Sequence, residues 1–204
     1  MKKKRLTIIY RLLLATLLLS TTQVFAAGAA FHYQLDLNAH LLSDEQGRLT
    51  AIEMHWLYDK ALSDTLMDGE DLSATKRDST LKRRAADILE GLQGVQYFTK
   101  ALKDQHPISF APVTQYSLAL TKESRLQLSM VLPLTQAEAL NGHVLQVIVS
   151  DASAVGLATF VTRDQLTLSD SLQAQCQAPK LTQSQLGVID QHTVISETML
   201  IDCR

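Results

Sequence analysis

The sequence predicts an α+β fold, mostly antiparallel β and sandwich-like, with one helical insertion. Three observations predict it. Apolar and polar residues alternate without a break over residues 31–41, and the same period of two returns over 49–59 and 126–132. That period stops over one long stretch, residues 60–94, where apolar residues fall at helical spacing. Turn compositions such as Asp44-Glu45-Gln46-Gly47 and Asn141-Gly142 separate the segments.

In chain order, residues 1–26 read as a cleaved export leader. Lys2, Lys3, Lys4 and Arg5 precede an apolar run broken only by Arg11, and Val24-Phe25-Ala26 places small residues where a signal peptidase reads. Ala27-Gly28-Ala29 is a second small-x-small site, and cleavage there would leave an Ala30-Phe31-His32 amino terminus suited to Cu(II) or Ni(II). Residues 27–204 then form one periplasmic β-rich domain, expected to be soluble. Loss of the leader takes five of the 19 basic residues and none of the 21 acidic ones, leaving a net charge of about −7. Such a surface argues against nucleic acid, whose binding rests on basic patches.

In the first strand, Phe31, Tyr33, Leu35, Leu37, Ala39 and Leu41 form the apolar face, and His32, Gln34, Asp36, Asn38 and His40 the polar one. Gly47 suits the turn that follows, and the second strand buries Ile52, Met54, Trp56 and Tyr58 while Glu53, His55 and Asp59 face the other way. A hairpin with Ser43 opposite Arg48 sets Asp36 beside His55, His32 beside Asp59 and Asn38 beside Glu53. The burial pattern also admits a register differing by two residues, but not by one.

In the insertion, Leu81, Ala85, Ile88 and Leu92 mark a helix from about Leu72 to Gly94, with Lys76, Arg77, Lys82, Arg83 and Arg84 on its polar face. Met67-Asp68-Gly69-Glu70-Asp71 reads as a capping loop, since it lacks the ligand spacing of an EF-hand. Further strands are expected over 95–100, 108–120, 126–132, 144–149, 157–168 and 193–201, with Pro112 demoting the first half of 108–120 to an edge or a bulge. Cys176 and Cys203, an even pair in an exported chain, are expected to form a disulfide that fastens the tail.

Imidazole and carboxylate at cross-strand distance make His32 with Asp59, or Asp36 with His55, a candidate site for zinc, nickel, cobalt or copper. The competing reading is that these are surface hydrogen bonds and ion pairs on a solvated sheet face. His32 and His40 are about 27 Å apart along one strand and cannot share a ligand. His106, His143 and His192 read as loop residues. No Gly-x-Ser-x-Gly, HExxH or phosphate-cradling loop is present, so an enzyme is not expected.

The order of these features resembles a family of bacterial exported proteins classed as a domain of unknown function and labelled as the periplasmic component of an uncharacterised ABC-type transport system. The resemblance rests on Phe31-His32-Tyr33-Gln34-Leu35-Asp36, on the segment from Gly47-Arg48-Leu49 to Trp56-Leu57-Tyr58-Asp59, and on Tyr97-Phe98, Tyr116-Ser117-Leu118, Leu126-Gln127-Leu128, Cys176 and Cys203. Members often carry His-Pro-His where this chain has Ala30-Phe31-His32, and Tyr-Asp-Pro where it has Ser150-Asp151-Ala152. The resemblance implies a periplasmic location and a link to transition-metal transport. Two readings follow: a metal- or solute-binding accessory of an envelope transporter, or a metal-free interaction module. The second would dock on an inner-membrane transporter component through a sheet edge or through Lys82, Arg83 and Arg84.

Overall fold

The structure, a computed structural model, describes residues 32–189 and 191–204. The expected leader and its cleavage sites lie outside these residues. The fold is α+β with mostly antiparallel strands in two sheets.

Strands β1 (Tyr33–Ser43) and β2 (Leu49–Tyr58) form the hairpin read from the alternation. Leu35, Leu37, Ile52, Met54 and Trp56 are almost fully buried, so the apolar faces are the ones expected. The register differs from Ser43 opposite Arg48 by two residues. Ser43 lies opposite Leu49, a bulge follows at Leu42/Ser43, and Asn38 faces His55 while Asp36 faces Leu57 and His40 faces Glu53. The cause is the turn. Asp44 accepts from the N–H of Gln46 and of Arg48 (3.1 and 2.9 Å) and from Arg48 Nε (2.8 Å), while Gly47 takes φ 72°. Two residues of slip keep parity, so burial is preserved while each polar partner changes.

The first sheet runs β5 (Tyr116–Leu120), β6 (Leu126–Glu138), β2, β1, β8 (Gly156–Thr159), and β9 (Leu166–Leu168) also pairs with β1. Both β8 and β9 run parallel to β1. The second sheet runs β10 (Lys180–Ile189), β11 (His192–Asp202), β7 (Val144–Val149), β3 (Thr99–Lys103), β4 (His106–Ile108). Inner faces of both sheets, including Trp56, Leu128, Val147 and Met199, share one apolar cluster.

The insertion holds two helices where the spacing predicts one. Helix α1 (Lys60–Met67) is capped by Asp59, whose carboxylate accepts from the Leu62 N–H (2.7 Å). Helix α2 (Arg77–Gln93) buries Thr80, Leu81, Ala85 and Leu89. It starts later than Leu72 because Asp71 accepts from the Ser73 N–H (2.9 Å) and its carbonyl from the Thr80 hydroxyl (2.8 Å), which holds residues 71–73 in a turn.

Four strand boundaries also differ, the first being that of β6, which runs past Pro133 to Glu138 where the alternation ends at Leu132. Gln96, Tyr97 and Phe98 adopt left-handed φ of 53°, 53° and 50°, which delays β3 to Thr99. Of residues 108–120, Ile108 ends β4 of the second sheet and Tyr116–Leu120 form β5 of the first, and residues 109–115, which include Pro112, connect the two. Residues 157–168 split into β8 and β9 around a short 3-10 turn. Strand β10 is absent from the sequence reading, because its residues are exposed on both faces and carry no burial period. A short helix α3 (Asp170–Gln173) leads to Cys176, which is bonded to Cys203 as expected.

Candidate functional site

Strand β1 begins beside the start of β11, and this brings together two histidines 160 positions apart in sequence. The rings of His32 and His192 have centroids 5.3 Å apart and an interplanar angle of 43°. The His32 N–H donates to the Val155 carbonyl (2.9 Å), which fixes its backbone against the β7–β8 connection. His192 opens β11 opposite Ile189. Its Nδ1 is closed off from solvent and has no hydrogen-bond partner among the described residues. Two imidazoles bonded to one tetrahedral ion at about 2.0–2.1 Å from each nitrogen hold their ring centres roughly 5 Å apart. The observed spacing suits that arrangement. Sequence reasoning placed His192 in a loop, and only a non-local pairing could have revealed it.

The other three candidate ligands are engaged elsewhere. Asp36 pairs with Arg125 (2.8 Å), which also donates from Nε to the Tyr58 carbonyl (2.7 Å). The His55 ring meets Ser129 Oγ through Nδ1 (2.8 Å) and lies 3.5 Å from Glu53 through Nε2. Asp59 caps α1 and accepts from the Gln34 N–H (2.6 Å) as well. Among the described residues no three His, Cys, Asp or Glu side chains converge as a ligand set.

The basic residues of α2 divide in the same way. Arg83 pairs with Glu70, and Arg84 donates to the Leu66 carbonyl (2.9 and 3.1 Å) and pairs with Asp87 (3.3 Å), tying α1 to α2. Lys82 makes no ion pair among the described residues and lies in a groove with Tyr116 and Leu118 of β5.

Asp151, matched to the family's Tyr-Asp-Pro only at its aspartate, is a structural residue that sequence reasoning gave no role. It is 3 % exposed and accepts from the Tyr33 hydroxyl (2.7 Å), the Gly156 N–H (2.9 Å), and the hydroxyl and N–H of Ser153 (2.5 and 2.8 Å). Burial pushes its carboxyl up, but the donors from Ser153, Tyr33 and Gly156 outweigh it and hold the group below the ordinary aspartate range. Tyr33 shifts the opposite way, raised by burial and then by its bond to Asp151.

Glu197, on the inner face of β11, is also 3 % exposed, and no cation pairs with it among the described residues. Burial raises its carboxyl, partly offset by a hydrogen bond from Gln183 (2.7 Å). With the folded value above the unfolded one, its contribution is fully present below the unfolded value and is lost as pH rises through the folded value. Glu197→Gln is therefore expected to raise the melting temperature at pH 7 by a few degrees, roughly 1 kcal/mol. The gain should shrink toward pH 4. Thermal melts of both proteins across pH 4–8 check this, and a pH-independent difference would refute it.

Fold and site together describe a two-sheet α+β protein whose tail is fastened by a disulfide and which carries a histidine pair at one sandwich end. The chain belongs to the family described as Protein of unknown function (DUF1007), whose sequence model matches residues 13–193. No curated protein matches it.

Proposed function

We propose that this protein is a non-enzymatic periplasmic accessory of an envelope transport system that binds a transition-metal ion, zinc, nickel, cobalt or copper, through His32 and His192. The single observation that supports this reading is the pair of rings with centroids 5.3 Å apart, one of them with an unpartnered, solvent-shielded nitrogen. The basic, apolar leader and the disulfide agree with export. Two protein ligands leave the remaining positions to water or to a partner's side chain, so binding should be micromolar and exchangeable, which suits an accessory that hands an ion on. Isothermal titration of Zn(II), Ni(II), Co(II) and Cu(II) into protein recovered after export, its N-terminus fixed by intact mass, tests this. One saturable site is expected, weakened at least tenfold by His32→Ala and by His192→Ala but not by His55→Ala. Binding that survives both of the first two substitutions would refute the assignment.

A second reading, the metal-free module docking on a membrane transporter component, is favoured by β10. This open edge of the second sheet carries one charged residue, Lys180, and exposes Leu186 and Val188 at 63 % and 68 %. Edge strands ordinarily carry charge or proline that blocks pairing, and an extended partner segment could add to this one. Val188→Lys would then abolish cross-linking to an inner-membrane protein, whereas Lys82→Glu would not.

A further inference from the structure

The outer face of the second sheet, turned away from the core, carries rows of hydroxyls. The register sets Ser184 of β10 directly opposite Ser196 of β11, and the next row runs from Thr198 of β11 through Ile148 of β7 to Lys100 of β3. Directly opposed side chains in such rows stand about 5 Å apart. These residues floor a depression of about 340 Å³ that Val95 and Leu186 also line. This volume falls in the range of small-ligand sites.

Three features set it apart from a solvated sheet face. Ser196 is only 3 % exposed, although it lies on the side of β11 opposite the core residues Met199 and Ile201. Its hydroxyl makes no hydrogen bond among the described residues and is not sealed from solvent, so it stays available to whatever enters the depression. A hydroxyl on so buried a residue ordinarily has a partner. Lys100 makes no ion pair among the described residues, and no Asp or Glu lines the depression, so its ammonium is not neutralised there. Finally, Val95 and Leu186, 48 % and 63 % exposed, present large apolar side chains to the same space.

One cation beside free hydroxyls recognises a singly charged oxyanion, and apolar walls recognise a hydrocarbon body. Thr198 and Lys100 are two strand spacings apart, roughly 10 Å, a gap that the long lysine side chain narrows to the width of a carboxylate. We propose that the depression binds a small organic monocarboxylate with a short apolar body, such as a short-chain fatty acid. Lys100 Nζ and the Ser196 and Thr198 hydroxyls donate to the carboxylate, and Val95, Ile148 and Leu186 contact the chain. This assignment is independent of the histidine pair.

The experiment titrates hexanoate and hexanamide, which match in size and differ in charge, into the exported, purified protein and follows both by saturation-transfer NMR. Hexanoate is expected to bind at least tenfold more tightly. Lys100→Met should remove that preference, because it keeps an unbranched apolar stem and deletes the charge, and its exposed position leaves the fold intact. Ser196→Ala should weaken hexanoate at least threefold. Lys180→Met, which removes the lysine that opens β10 outside the depression, should change neither probe. Absence of hexanoate binding, equal binding of the two probes to the unaltered protein, a preference that survives Lys100→Met, unchanged binding to Ser196→Ala, or loss of the preference in Lys180→Met would each overturn the proposal.

Discussion

Gly156→Ala is expected to destabilise the protein by about 3–5 kcal/mol and to lower its melting temperature by roughly 10 °C. Gly156 lies opposite Tyr33 in the parallel β1–β8 ladder, and the phenol ring sits directly over it. A Cβ at this position would lie 2.0 Å from two ring carbons, so the ring must leave. That displacement also removes the Tyr33 bond to Asp151, a buried carboxylate that organises residues 151–156. Steric overlap and an under-satisfied buried acceptor therefore add. Urea unfolding of Gly156→Ala and Tyr33→Phe separates the two contributions, because the second variant loses only the hydroxyl. A melting temperature within about 2 °C of the unaltered protein for Gly156→Ala would refute the packing described.

The second large effect concerns the tail. Cys176 follows α3, whose neighbour β9 pairs with β1 of the first sheet, while Cys203 directly follows β11 of the second. The disulfide thus joins the layers across 27 residues of sequence, and Cys203 is 2 % exposed. In the chain-entropy description, a loop of that length contributes about 3–4 kcal/mol. The Cys176→Ser/Cys203→Ser double variant is expected to melt roughly 10 °C lower, and the unaltered protein should fall to the same value under a reducing agent. Equal melting temperatures with and without reductant would contradict this account.

Legibility in the sequence followed burial. The β1–β2 hairpin was readable because one face of each strand is almost wholly buried, and parity survived even though Asp44 and Gly47 shifted the register by two. Strand β10 was not readable, because an edge strand exposed on both faces leaves no apolar period for a reader to find. Helix α1 went unseen since its start depends on Asp59, a residue whose position at a strand end made it look like a ligand rather than a cap. The candidate site was half legible. His32 stood out on a polar strand face, but its neighbour His192 is contributed by the last strand, and nothing local in sequence encodes that proximity. The left-handed backbone at Gln96, Tyr97 and Phe98, which delays β3, is carried by residue types that give no signal for it.

His32 and His192 are proposed to act together on one ion. Long-range ¹H–¹⁵N NMR of the imidazole nitrogens during Zn(II) titration tests it most directly, since a coordinated nitrogen changes its shift and its tautomer is fixed by the metal. One nitrogen of His32 and one of His192 are expected to shift in parallel, saturating at one equivalent, while His55 and His40 stay unchanged. Shifts at His55, or at only one member of the pair, would contradict it.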